Sequence, residues 1–566
     1  MIRITTFDGR SLELAPAPDQ TLAQAIFLFR DNGLFREDGP WEGVPLCAGL
    51  GRCGLCRVRY ESAPPAPLAE ELKRLGAEAV AQGWRLSCLH PAAACAIFLP
   101  EPRPSARPRV DIGMATGGPA ASGETTSGHA ALAPSDTTGG PAALAASLAI
   151  DLGTTSVHWA VLDKSGQTLS SGQGLNPQLG LGSEVMSRLA YAERPGGAAV
   201  LSGLVRQRLL ALKAEAEASH GGRIARLCVA GNSAMTYLLL GLPPEMVDGL
   251  ARAPYRLEYA GGDERQLGPD SPGGLPPALI PPLLAPFIGA DLSAGLAALH
   301  FSPAGPPQYP YLLADLGTNG EFVLALSPDE YLLASVPLGP ALEGVGLRHG
   351  RVAGPGAVRA FVLTPVGLRP EYIDRPPLPG EDAGITGVGY LSLTATLLRA
   401  GVLDESGRFV VPATPLATPL ARRLARGLVT LDGEQTLDLG AGLLFPASDV
   451  EELVKVKAAF NLALSRLLAE ANITPAALSS VHLAGAMGEH VDAADLATLG
   501  FLPELLTSRV RRAGNTSLAG ARLLLTSPAA WDWVRTLPGR CRVLDLAAEP
   551  HFGSLYVERM VLKYVA

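Results

Sequence analysis

The chain has 566 residues, 47% hydrophobic and 18% charged, with a net charge of −8 and a pI near 5.7. At roughly 100–200 residues per domain, that length suggests three or four structural units and ample chain for a large core. The acidic balance argues against a nucleic-acid backbone or an anionic membrane as partner.

The N-terminus, MIRITTFDGRSLEL, alternates like a strand and carries acids, so it does not read as a secretory signal. IRITTF and RSLELA flank Asp8-Gly9, a strand–turn–strand signal. In TLAQAIFLFRDNG, Leu22, Ile26 and Phe29 share one helical face, with Thr21 as a candidate N-cap and Gly33 as a stop. The loop PLCAGLGRCGLCRV follows, then VRY, a helical stretch around EELKRLGAEAVAQG, RLSCLH and a last strand, AIFLP.

Cys47, Cys53, Cys56 and Cys88 are spaced C-x5-C-x2-C-x31-C. Disulfides, zinc, a redox dithiol and an iron–sulfur cluster compete for them. The expected compartment is the cytoplasm, where disulfides are rare and clustered cysteines more often bind metal or do redox work. Zinc ribbons usually present two C-x2-C pairs or a pair with histidines, and this chain has a single pair. A dithiol at Cys53 and Cys56 would leave Cys47 and Cys88 idle. Three thiolates from a tight loop and a fourth from a distant strand end suit a 2Fe–2S cluster, and zinc remains the main alternative. Glycines 49, 51 and 54 let backbone N–H groups turn toward the sulfides. Cys95, in CAIFL, and Cys228, in LCVAG, read as core. The first 100 or so residues resemble a ferredoxin of the x5, adrenodoxin-like subtype, which implies an α+β ferredoxin (β-grasp) fold.

Residues 101–147 are dominated by Gly, Pro, Ala, Ser and Thr and are expected to form a flexible linker. Beyond them lies a weak internal repeat. LAIDLGTTSVHWAVLD (148–163) matches LLADLGTNGEFVLAL (312–326), and each is followed by a strand running into Ala-Gly, in LCVAGNSAMT and VHLAGAMGEH. Two similar α/β lobes are therefore expected, at 148–302 and 303–566, the second carrying an insertion. PPALIPPLLAPFIGADL is interrupted by prolines and ends at Asp291, too broken for a membrane span.

Asp151, Gly153, Thr154 and Thr155 in the first copy, and Asp315, Gly317, Thr318 and Asn319 in the second, form Asp-Leu-Gly-Thr turns between apolar strands. Glycine allows N–H groups to point at anionic oxygens, threonine hydroxyls add donors, and an aspartate can hold Mg²⁺ through water. A single such turn also makes ordinary hairpins. Two, 164 residues apart (151 to 315), suit a nucleotide clamped between lobes.

These turns resemble the phosphate motifs of the acetate kinase, sugar kinase, Hsp70 and actin superfamily, whose ribonuclease-H-like fold is duplicated. Its adenosine motif resembles Leu483–Gly488, with Gly485 and Gly488. The resemblance implies ATP and Mg²⁺, with Asp151 and Asp315 as metal-side carboxylates. Asp315 or Glu321 is then the candidate for orienting the attacking water; a plain strand-edge role for Glu321 stands beside it.

A ferredoxin, a linker and a duplicated ATPase together resemble the reductive activators of corrinoid proteins. The likeness extends through Asn176-Pro177-Gln178, GSEVMSRLAYA, AGNSAMTYLLLGL, APFIGADLSAG, GPALEGVGLRHG, GITGVGYL, VKAAF and GNTSLAGA. It implies ATP-driven transfer of one electron from the cluster to the Co(II) corrinoid of a methyl-transfer protein, an external low-potential donor, and a possible homodimer. The chain departs from the family pattern at Glu184, Thr386, Val388, Ala486 and Met487. Ser187 and Arg188 are candidate polar cleft residues, with solvated or capping roles as the alternative. Two rivals stand beside this reading: a small-molecule kinase or ATPase with a regulatory cluster, and an electron-transfer protein on a non-hydrolysing scaffold.

Overall fold

The computed structural model describes residues 1–16, 20–28, 56–100, 145–182, 184–253, 255–268, 274–364, 367–378, 383–410, 419–485, 490–546, 549 and 551–566. Cys47, Cys53, Gly33 and Gly488 lie outside the described residues, as does nearly all of the expected linker.

At the N-terminus, β1 (Ile2–Thr6) and β2 (Ser11–Leu14) form a hairpin whose turn uses Gly9 at φ +82°. With β3 (Arg57–Tyr60), β4 (Trp84–Leu86) and β5 (Cys95–Leu99) they make a mixed sheet in the order β2-β1-β5-β3-β4. The Leu22–Leu28 helix starts as its sequence suggests: Thr21 Oγ1 accepts from Gln24 N–H at 3.2 Å, and Gln24 Oε1 accepts from Thr21 N–H at 3.0 Å. It buries Leu22, Ala25 and Ile26 against Ile2, Ile4, Val58 and Ile97. The helical stretch that follows β3 is split at Gly76, whose φ of +80° ends Ala69–Leu75 and starts Ala77–Ala81.

The next sheet contains β6 (Ala146–Leu152), β7 (Ser156–Leu162), β8 (Thr168–Leu175), β9 (Ile224–Gly231), β10 (Asp263–Arg265) and β11 (Ala278–Ile280), ordered β10-β11-β9-β6-β7-β8. β6 begins inside the segment whose composition suggests linker: Ala146 is buried and hydrogen-bonds to Arg223 O, which local composition could not reveal.

The third sheet repeats this plan. β12 (Tyr311–Leu316), β13 (Asn319–Ser327) and β14 (Glu330–Pro337) form a meander; β21 (Ser480–Gly485) pairs in parallel with β12, and β22 (Val510–Gly514) and β23 (Cys541–Val543) close the edges. The register is the same in both sheets: Asp151 pairs with Ala230 and Leu152 with Gly231, while Asp315 pairs with Ala484 and Leu316 with Gly485. Between β14 and β21 lie two small sheets, β15 (Ala357–Thr364) with β16 (Gly367–Tyr372) and β17 (Gly384–Ile385), then β18 (Leu428–Leu431) with β19 (Glu434–Gly440) and β20 (Leu443–Pro446).

A core between the two large sheets holds the Ala290–His300 and Thr516–Thr526 helices, with Ala149, Cys228 and Ala230 on one side and Leu313, Val323 and Ala484 on the other. The Thr516–Thr526 helix also packs on β6 and β9, so late sequence helps to build the first lobe. Cys228 is fully buried there; Cys95 is only partly buried, beside the N-terminal core. Among the described residues, no helix is long and apolar enough to cross a membrane.

Candidate nucleotide cleft and cysteine site

A cavity of about 460 Å³, within the usual range for small-molecule sites, opens between the two large sheets. Every described residue of both Asp-Leu-Gly-Thr turns that the sequence singled out lines it, as do Glu321 and Gly485. Thr155 Oγ1 and Thr318 Oγ1 are 3.3 Å apart.

The first turn is braced from behind. Asn176 Nδ2 donates to Gly153 O at 2.7 Å, Asn176 N–H to Thr155 O at 2.9 Å, and Arg188 Nη2 to Thr154 O at 2.5 Å. Three successive carbonyls are thus held on the side away from the cleft. Arg188 is fully buried and makes its other contacts to Gly182 O, Gln178 Oε1 and Met235 Sδ, all neutral. Burial lowers its pKa to about 9, so it stays charged at neutral pH. It lies behind the turn rather than in the cleft, and the Ser187 hydroxyl bonds to Glu184 at the start of the Val185–Ala192 helix. The second turn has a simpler brace, Thr318 O accepting from the N–H groups of Leu338 and Gly339.

Asp151 is oriented by late sequence. Its Oδ2 accepts from Asn515 Nδ2 at 2.6 Å and its Oδ1 from Ser517 Oγ at 2.9 Å, while His158 Nδ1 lies 3.3 Å from Oδ2. Asp315 and Glu321 are cross-strand neighbours on β12 and β13. Gly485, at φ +73°, passes so close that a Cβ there would stand 2.5 Å from Asp315 Oδ1.

Two further acids complete the cleft, Asp291 in the first turn of its helix and Glu343, whose Oε1 accepts from Thr318 Oγ1 at 2.8 Å. Burial pushes Asp315 up to about 8, helped by Asp291 and Asp151. Burial, helped by Asp151, pushes Asp291 up to about 7. Glu321 is raised well above the usual carboxylate range by burial and by Asp291 and Asp315. Oxygen donors crowded this way suit a hard divalent cation. Among the described residues no three His, Cys, Asp or Glu side chains converge to chelate a metal directly, so the acids surround the space rather than meet at a point.

Beside the N-terminal sheet, Cys56 and Cys88 are buried in one small cluster with Leu86. The Ser87 N–H and Oγ both donate to Cys56 O, at 3.0 and 2.7 Å, tying the two cysteine-bearing segments together.

Residues 146–303 match the family described as the RACo middle region, and residues 310–565 match the C-terminal domain of RACo, the ASKHA domain. The corrinoid activation enzyme RamQ of Eubacterium limosum is 30% identical over 427 residues, covering 72% of this chain and 69% of its own. The chain belongs to the RACo family. A second relative, the [Co(II) methylated amine-specific corrinoid protein] reductase of Methanosarcina barkeri, is 29% identical over 299 residues, covering 49% of the RACo-family chain and 50% of its own. The solved reductive activator for corrinoid, iron–sulfur protein shares the fold, with a TM-score of 0.64 at 22% identity over 100% of this chain and 99% of that one. The duplicated lobes are therefore an ASKHA fold.

Asp291, Glu343, Asn515 and Ser517 are cleft residues that motif reasoning on the sequence did not single out. Asp291 had a signal: an acid ending a long apolar run and opening a helix is well placed to face a cleft.

Proposed function

We propose that this protein is an ATP-dependent reductive activator that delivers one electron to the inactive Co(II) corrinoid of a methyl-transfer protein, regenerating Co(I). The observation that carries the reading is the pairing of two braced phosphate turns across one acid-lined cleft, in a chain whose family members are named for corrinoid activation. A cytoplasmic location, an external low-potential donor and the division into a ferredoxin module and two ATPase lobes belong to the same proposal.

An acid-lined cleft repels a polyphosphate unless cations come with it. The oxygen-rich walls fit Mg²⁺ held through its waters. In this reading, Asp151, fixed by Asn515 and Ser517, and Asp315, backed by Gly485, hold those waters. The turns' backbone N–H groups and the Thr154, Thr155 and Thr318 hydroxyls bind phosphate oxygens, because their carbonyls are held away. Asp315 or Glu321 orients the attacking water and accepts its proton. Gly485 and Gly488 border the adenosine.

The described half of the cysteine set fits a 2Fe–2S group, being buried in one small cluster and linked through Ser87. Bound by Cys47, Cys53, Cys56 and Cys88, such a cluster would supply the single electron. Nucleotide can drive the uphill transfer only by binding the protein's conformations unequally.

The test mixes reduced protein, Mg-ATP and Co(II) corrinoid protein and follows the visible spectrum. Co(I) should appear with ATP and not without it, and Asp315→Asn should retain the reduced-cluster paramagnetic signal while losing ATP-dependent reduction. Reduction indifferent to nucleotide would sink the reading.

A further inference from the structure

The nucleotide cleft is short of positive charge. Asp151, Asp291, Asp315, Glu321 and Glu343 line it, and among the described residues Arg351 is the single lysine or arginine that does so. Mg²⁺ offsets only part of the charge of a nucleotide's phosphate chain, and the remainder would enter a space walled with carboxyls. A cation fixed in the wall lowers that cost. A guanidinium suits the task, because its planar fork can donate two bonds at once to phosphate oxygens.

Arg351 is built into its place from both sides. It ends the loop that leaves Glu343, the acid bonded to Thr318 Oγ1 of the second phosphate turn. Gly344, at φ +74°, lies directly against it: a Cβ there would stand 2.2 Å from the Arg351 carbonyl oxygen. The arginine is thereby held next to the residue that follows Glu343. On the other side, Arg351 N–H donates to Ile385 O at 2.9 Å and Ile385 N–H to His349 O at 2.8 Å, so its backbone is laced to β17. A Cβ at Gly384 would stand 2.7 Å from Arg351 Cβ and 2.8 Å from its Cδ. The aliphatic stem therefore lies on a strand position where any other side chain would displace it.

At the far end of the side chain, Nη2 donates to Pro355 O at 3.0 Å. Residues 351–355 all line the cleft, so this bond keeps the guanidinium at the cleft wall. A carbonyl is a weaker partner for a guanidinium than a phosphate oxygen, and such a bond can yield to an incoming anion.

We infer that Arg351 is the phosphate-binding cation of the cleft: its guanidinium exchanges Pro355 O for an oxygen of the nucleotide's phosphate chain, on the second-lobe side near Glu343 and Thr318. The inference rests on the proposed nucleotide function and deepens it. It also gives work to two stretches that the motif reading left without a role. GPALEGVGLRHG supplies Gly344 and GITGVGYL supplies Gly384, the two glycines whose missing side chains make room for the arginine.

The experiment titrates the full chain with Mg²⁺ and a non-hydrolysable ATP analogue by calorimetry, and records the melting temperature without nucleotide. Two variants separate charge from loop stapling: Arg351→Gln keeps a donor for Pro355 O but no charge, and Arg351→Lys keeps the charge without the fork. Arg351→Gln should bind the analogue about tenfold more weakly or worse, and Arg351→Lys should recover to within about threefold of the unaltered protein, with nucleotide-free melting unchanged in both. Unweakened binding by Arg351→Gln overturns the inference, as does Arg351→Lys binding no better than Arg351→Gln. Parallel losses of melting temperature and affinity in both variants would reduce Arg351 to a loop staple and overturn it too. Failure of the unaltered protein to bind the analogue would instead overturn the functional reading.

Discussion

Thr155 Oγ1 and Thr318 Oγ1 meet at 3.3 Å across the cleft although 163 positions separate them, and Thr318 Oγ1 also donates to Glu343 Oε1 at 2.8 Å. One hydroxyl therefore links both phosphate turns to the cleft's outer acid. Thr318→Val keeps the shape and removes both contacts. Mg-nucleotide affinity should fall about tenfold, or about 1.4 kcal/mol, by calorimetry. Because the two hydroxyls share one contact, adding Thr155→Val should cost less than the sum of the single changes.

Gly485→Ala should damage the cleft from beneath. The backbone there is left-handed, and the new methyl would press on Asp315 Oδ1 and on the Leu316 backbone. We expect a loss of about 2 kcal/mol in urea unfolding, with weakened nucleotide binding. An unaltered midpoint would mean that β21 shifts freely.

The acid cluster sets a pH dependence. Asp291 and Asp315, pushed up to about 7 and about 8, keep protons in the folded, nucleotide-free protein that the unfolded chain releases near pH 4. The folded form thus binds more protons across that window. Stability should fall as pH rises from about 4 to 8 and level off above it, where both forms have lost these protons. Mg-nucleotide should raise the melting temperature more at pH 8 than at pH 6, because a cation favours the deprotonated acids. Scanning calorimetry at several pH values measures both trends, and Asp315→Asn should flatten the first.

Arg188→Lys keeps the charge but loses the planar fork that reaches Thr154 O, Gly182 O and Gln178 together. With those buried acceptors left short of donors, stability should drop by about 2–4 kcal/mol in denaturant titration. Nucleotide affinity should fall as well, since the first turn loses one of its braces.

Much of this was legible because it is local. The repeat announced two like lobes, and the observed registers, Leu152 with Gly231 and Leu316 with Gly485, are the same relationship written twice. Thr21 marked a helix start that needs only a neighbour three residues away, Gln24. What escaped notice acts at long range. Asn515 caps the Thr516–Thr526 helix, accepting from Leu518 N–H at 2.7 Å, but nothing nearby in the sequence says that its amide also reaches Asp151. Arg188 read as a polar cleft residue or a solvated or capping one, yet it is fully buried behind the turn, where three backbone and amide acceptors make the burial tolerable. The expectation for Cys47 and Cys53 lies outside the described residues, while Cys56 and Cys88 are buried together in one small cluster.

The grip of Asn515 and Ser517 on Asp151 has a bearing on biosynthesis. A ribosome translating this message completes the first phosphate turn early, yet more than 350 further residues must emerge before that carboxylate meets its two donors. Nascent chains and products of premature termination should therefore be blind to nucleotide, so that fuel is engaged only by a polypeptide whose second lobe has already been made.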